Sequence, residues 1–224
     1  MAAASSHKFF IPGWGAPACL YDPGLPPEWK ALEPPSFRAS GGSFNACRDW
    51  FATEIARLDE PVVLAGHSMG AALAMAVAAD VPDRVSGLLL IAPAGLPLTK
   101  PIRRSMASFA SQLAHGRYPM THAARAAARI ASAPRSALKL AFRVRDLDLS
   151  PEMRRIRRQR IPVTVVGCLT DTLVTVPQCR EAARLLGAAY RELDLPGGHM
   201  WMLDSWRTLR GELRLAGSPV PMKA

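Results

Sequence analysis

The sequence predicts an α/β fold, with one domain built on a mainly parallel sheet flanked by helices. Short apolar runs without polar alternation recur along the chain, as expected of strands buried on both faces. Segments of helical periodicity separate them, which is the βαβ order of a parallel sheet joined by right-handed crossovers. A length of 224 residues, 49% hydrophobic and 21% charged, suits one folded core and excludes a disordered chain.

The first run, Phe9-Phe10-Ile11, stops at Pro12-Gly13-Trp14-Gly15 and reads as a buried strand entering a tight loop. Residues 16–42 are rich in Pro and Gly and predict a loop, with at most a short helix or strand between Trp29 and Phe37. Ser43 is placed to cap a helix running to about Leu58, because Ala46, Trp50, Phe51, Ile55 and Leu58 recur at helical spacing. Val62-Val63-Leu64-Ala65 predicts a buried strand that leads straight into Gly66-His67-Ser68-Met69-Gly70. Residues 71–79 then lack Pro, Gly and charge, which suits a helix packed closely on a sheet. Residues 85–92, 161–167 and 190–195 predict further strands, residues 177–186 a helix between the last two, and residues 201–215 a closing helix.

Residues 97–160 interrupt this alternation and read as an inserted helical unit, leaving residues 1–96 and 161–224 as the core. Ile102, Met106, Phe109 and Leu113 share one helix face, and residues 123–131 and 137–144 hold strong helix formers, broken by Pro119, Pro134 and Pro151. Fifteen of the 28 Lys and Arg lie between residues 100 and 160 against three acids, a net of +12 that leaves −2 for the rest. Nucleic-acid binding is not the reading of the run Arg154-Arg155-Ile156-Arg157-Arg158-Gln159-Arg160, since no aromatic side chains are interleaved with it. Cys19, Cys47, Cys168 and Cys179 fall at wide spacings without metal or redox motifs, and no GxGxxG or P-loop pattern occurs. The expectation is free thiols, no metal and no cofactor. The N-terminus carries no apolar signal core and no run is long enough to span a membrane, so a soluble cytoplasmic protein is expected.

The chemistry is concentrated in three loops. Gly66-x-Ser68-x-Gly70 between a strand and a helix is the pattern of a nucleophile elbow, a sharp turn that exposes a serine oxygen at a helix N-terminus. A neutral serine needs a histidine base and a carboxylate to hold that base's tautomer. Asp171 follows the strand at 161–167 and His199 the strand at 190–195, so both stand with Ser68 at the C-terminal ends of strands, where parallel sheets gather functional loops. The blander alternatives are a capping serine, a solvated loop aspartate and a structural loop histidine. His67 is expected to point away from the nucleophile, His7 lies near the terminus, and His115 and His122 lie in the insertion; Asp194 falls in a strand and Asp204 in a helix.

From His7 to about Leu215 these motifs resemble the α/β-hydrolase superfamily: Gly66-His67-Ser68-Met69-Gly70 resembles its elbow, Gly167 to Asp171 its acid loop, and Gly198-His199 its histidine loop. The resemblance implies an α/β-hydrolase fold, shortened at the N-terminus because few residues precede Phe9, with a helical cap at 97–160. It implies an oxyanion hole from the backbone N–H groups of Met69 and Trp14, although Pro12 departs from the family's His-Gly-x-Gly loop. Trp14, Met106, Phe109, Leu113 and Trp201 are the implied apolar pocket, with plain core packing of the helical stripe as the alternative.

The activity implied is that of a serine esterase, cleaving a carboxylic ester of an apolar acyl group through an acyl-enzyme. Thioester cleavage, acyl groups on coenzyme A or an acyl carrier protein, and a hydrolase-like binding protein with little turnover are the alternatives. Arg143, Arg145, Arg154, Arg155, Arg157 and Arg158 are the residues expected to dock an acidic carrier on the cap, in the manner of the carrier-protein methyl esterases of biotin synthesis. A solvated arginine-rich surface is the alternative.

Overall fold

The strands in a computed structural model, which describes residues 7–98 and 120–216, are β1 (Lys8–Ile11), β2 (Trp29–Ala31), β3 (Val62–His67), β4 (Val85–Ile91), β5 (Val163–Cys168) and β6 (Ala189–Leu193). They form one sheet in the order β2-β1-β3-β4-β5-β6, and every neighbouring pair is parallel. The expected α/β-hydrolase architecture is borne out. The strand that the sequence left open near Trp29 is β2, at the sheet edge. All six residues of β3 are buried, which accounts for its lack of polar alternation.

The helices α1 (Phe37–Ser40), α2 (Phe44–Ala56), α3 (Met69–Asp80) and α7 (Val176–Leu186) belong to the sheet's layers, and α8 (Trp206–Leu215) closes the chain. Ser43 caps α2 as expected, its hydroxyl accepting from Ala46 N–H at 3.2 Å. Apolar residues of α2, α3 and α7 share one core cluster, while Tyr21, Trp201 and residues of α8 form the cluster on the opposite side of the sheet. The closing helix is shorter than expected, because residues 198–203 form a 3-10 turn and the α-helix begins only at Trp206.

Three helices follow the residues left undescribed: α4 (Met120–Ala131), α5 (Pro134–Arg145) and α6 (Ser150–Gln159). Pro134 and Pro151 open helices instead of breaking them, since a proline in the first turn forfeits no intrahelical bond. Met153 and Ile156 of α6 are fully buried against the sheet's own helices, with α6 in contact with α3 and α7. That places α6 in the sheet's helical layer, directly before β5. Among the described residues no helix is long and apolar enough to cross a membrane.

The strand order reverses between β1 and β3, so the chain leaves these neighbours in opposite directions and opens a crevice at their C-terminal ends. There α3 approaches β1 so closely that a Cβ on Gly70 would stand 2.0 Å from the carbonyl oxygen of Ile11 and 2.5 Å from that of Pro12. Both contacts are backbone and have no rotamer to yield. Gly211, on the exposed side of α8, has nothing within 4 Å of the same position. Gly70→Ala is therefore expected to cost about 3 kcal/mol of stability. Gly211→Ala should gain about 1 kcal/mol and raise Tm by about 2–4 °C. Thermal and urea unfolding of the two variants check both signs.

Candidate active site

Ser68 sits between β3 and α3 with φ 55° and ψ −116°, a backbone conformation that costs a non-glycine residue about 1–3 kcal/mol. The surrounding backbone holds it there. Its N–H donates to Ile91 O at 2.9 Å, and its carbonyl accepts from Ala72 and Ala94 N–H, each at 3.1 Å. A Cβ on Gly66 would stand 2.4 Å from the carbonyl carbon of Gly70, so the turn closes only with both glycines. Strain and tight packing thus present the Ser68 side chain at the N-terminus of α3. Met69 begins that helix, and its N–H has no carbonyl one turn earlier to bond within the helix.

Asp171 follows β5 in a turn closed by its own N–H on Cys168 O at 3.1 Å. Its Oδ1 accepts from Leu173 N–H at 2.8 Å and Val174 N–H at 3.0 Å, which orients Oδ2 toward His199 Nδ1 at 2.7 Å. Both side chains are buried. A carboxylate accepting at that position requires the proton on Nδ1 and leaves Nε2 of neutral His199 as the basic atom. His199 is delivered by the turn after Gly197 and Gly198, both at positive φ, where β-bearing residues are strained.

His67 does not simply turn away from the site. It is 1% exposed, with its ring centroid 4.6 Å from that of His199. Its Nε2 lies 3.0 Å from the His199 carbonyl oxygen, and its Nδ1 lies 2.9 Å from the Tyr21 hydroxyl. Burial holds the His67 pKa well below the ordinary imidazole value, and the charge that His199 can carry lowers it further; the ring is neutral. Burial raises the Tyr21 pKa, so its hydroxyl keeps its proton. Sequence reasoning gave Tyr21 no role, since a lone tyrosine in a Pro- and Gly-rich loop carries no periodic signal.

The loop after β1 lies against the nucleophile: a Cβ on Gly13 would stand 3.1 Å from His67 Nδ1 and 3.5 Å from Ser68 Cβ. Trp14 is anchored to α5, its ring N–H donating to Ala137 O at 3.0 Å. A cleft partly open to solvent is lined by Ser68 and His199 together with Gly13, Trp14, Leu98, Val144, Leu173 and Met200.

Of the expected pocket residues, Trp14 lines this cleft, whereas Met106, Phe109 and Leu113 lie outside the described residues. Trp201 is a correction. It is fully buried in the core cluster with Phe10 and Tyr21, while its neighbour Met200, a member of the same cluster at a break in the 3-10 turn, lines the cleft.

The arginines also separate. Arg145 lines the cleft and Arg143 is exposed on α5, but Arg154, Arg155, Arg157 and Arg158 belong to α6 and are not among the described lining residues. Arg157 donates to Arg184 O of α7 at 3.5 Å. With Arg158 it lies near the end of α6 that leads into the start of β5. These four lie on the exposed face of an amphipathic helix whose other face carries Met153 and Ile156.

The sequence model of the alpha/beta hydrolase family matches residues 9–211. Among solved structures, a hydrolase from Pseudomonas aeruginosa PA01 is similar with 17% identity and a TM-score of 0.68, over 95% of this chain and 90% of that one. The enol-lactonase from Burkholderia xenovorans LB400 has 17% identity and a TM-score of 0.68, over 93% and 92%. The thioesterase domain from the curacin biosynthetic pathway has 20% identity and a TM-score of 0.62, over 95% and 92%. At these identities the likeness is one of fold. No curated protein matches the sequence.

The buried neutral state of His67 has a thermodynamic consequence. Unfolded, this side chain takes up a proton as pH falls below 6.5, which the folded chain resists, so its contribution makes stability fall toward low pH by up to about 1.4 kcal/mol per pH unit. His67→Gln removes that term. In urea titrations from about pH 7.5 to 5, the stability advantage of wild type over this variant is expected to shrink as pH falls.

Proposed function

The chain belongs to the alpha/beta hydrolase family, and we propose that it cleaves a carboxylic ester of an apolar acyl group through an acyl-enzyme on Ser68. The observation that carries this reading is the 2.7 Å contact of His199 Nδ1 with Asp171 Oδ2, at a cleft lined by both Ser68 and His199. A serine held at a strained turn, a histidine oriented by a buried carboxylate and an apolar cleft are the parts that acyl transfer requires.

In this reading Ser68 Oγ attacks the ester carbonyl carbon while its proton passes to His199 Nε2. Asp171 keeps Nδ1–H in place and stabilises the imidazolium that forms. The carbonyl oxygen becomes an oxyanion, and the N–H groups of Met69 and Trp14 are the donors proposed for it. His199 returns the proton to the departing alkoxide, and the alcohol leaves. Water then gives a proton to His199 and attacks the acyl carbon, releasing the acid and restoring Ser68. Leu98, Val144, Leu173 and Met200 along the cleft favour an apolar acyl chain by the area they remove from water.

Ser68→Ala is expected to lower kcat for p-nitrophenyl butyrate by about 10⁴-fold or more with Tm unchanged, and His199→Ala should match it. A fluorophosphonate probe should label wild type at Ser68 and leave Ser68→Ala unlabelled. An alanine variant with wild-type turnover would overturn the assignment.

A further inference from the structure

We infer that Tyr21 and His67 are positioning residues, forming a hydrogen-bonded chain beneath Ser68 that locks the loop after β1 to the loop carrying His199. The inference rests on the acyl-transfer reading of Ser68, whose two loops it connects. Its direction follows from the atoms. The His199 carbonyl oxygen can only accept, so the 3.0 Å contact places a proton on His67 Nε2. Neutral His67 then has a bare Nδ1, which accepts the Tyr21 hydroxyl proton across 2.9 Å. With its proton committed, the Tyr21 oxygen accepts from Gly13 N–H over a longer 3.5 Å. Donors and acceptors therefore run one way from the Gly13 backbone to the His199 backbone, without an unpaired polar atom along the path.

Each end is attached to a loop that needs holding. His199 follows two glycines with φ of 105° and 59°, a connection with access to other conformations. The Gly13–Trp14 loop carries one of the two proposed oxyanion donors. Tyr21 is wedged against Phe10 of β1 with ring centroids 4.8 Å apart, and both Tyr21 and His67 are fully or almost fully buried, so the chain is anchored to the sheet. Acyl transfer needs the oxyanion donors and His199 Nε2 placed around one carbon to within about 0.5 Å, and a displacement of about 1 Å costs about 100-fold in rate. A neutral His67 also suits its position, since His199 gains positive charge during turnover and a second imidazolium beside it would oppose that gain.

Three variants and one spectrum test this role. Tyr21→Phe keeps the ring and removes the hydroxyl; it is expected to lower kcat for p-nitrophenyl butyrate by about tenfold and to move KM by less than about twofold. His67→Leu should lose about 100-fold in kcat, and His67→Gln should recover most of that loss, because its carboxamide N–H can still donate to His199 O. Circular dichroism and Tm verify folding, with Tyr21→Phe deciding if His67→Leu does not fold. In ¹⁵N spectra of wild type at about pH 7, His67 is expected to show protonated Nε2 and bare Nδ1. A kcat within twofold of wild type in folded Tyr21→Phe, or a proton on His67 Nδ1, would overturn the chain while Ser68 chemistry stands. Failure of the wild type to cleave any ester would instead bring down the acyl-transfer reading and this role with it.

Discussion

The first turn of α3 meets the end of β1 with room at Gly70 for a hydrogen and nothing larger. Much of the site depends on that approach. It brings the loop after β1 against Ser68, and it lets the strand-to-helix turn close at a backbone conformation that serine does not adopt freely. The energy to hold that strain comes from burial around it: β3 is buried along its whole length and α3 from Met69 to Ala79. The small side chains of α3 make the approach possible, since alanines permit a closer helix-to-sheet distance than larger apolar residues would.

Polar groups at the centre of such a core survive only if each finds a partner. Asp171 is 4% exposed and His199 4%; the carboxylate satisfies one oxygen on two backbone amides and presents the other to imidazole. His67 and Tyr21 extend the same logic under the cleft, between two backbone segments. The result is a connected set of hydrogen bonds beside the cleft, in which His199 is oriented by backbone geometry as much as by side chains.

Charge follows the helix periodicity of α6. The arginine run alternates with Met153 and Ile156 so that the apolar residues face the sheet's helices and the guanidinium groups face water. Among the described residues the positive segment thereby spans α4, α5 and α6, of which α6 joins the sheet's layer. Only Arg145 of the six arginines expected at an acidic partner reaches the described lining of the cleft.

What the sequence by itself determined were the local features. The parallel α/β order, the cap of α2 at Ser43, the turn at Gly66-x-Ser68-x-Gly70 and the loop positions of Asp171 and His199 are written in apolar runs, helical periodicity and glycine placement within a few residues of each element. Only the tertiary structure decided what depends on residues distant in the chain. Tyr21, 46 positions before His67, faces it because β1 and β3 are neighbours; Met200 lines the cleft at a break in its 3-10 turn while Trp201 is buried in the core; α6 joins the sheet's layer because its apolar side finds α3 and α7. Local sequence encodes which conformation a segment prefers, whereas these outcomes depend on which surface each segment packs against, and that is settled only when the whole chain is folded.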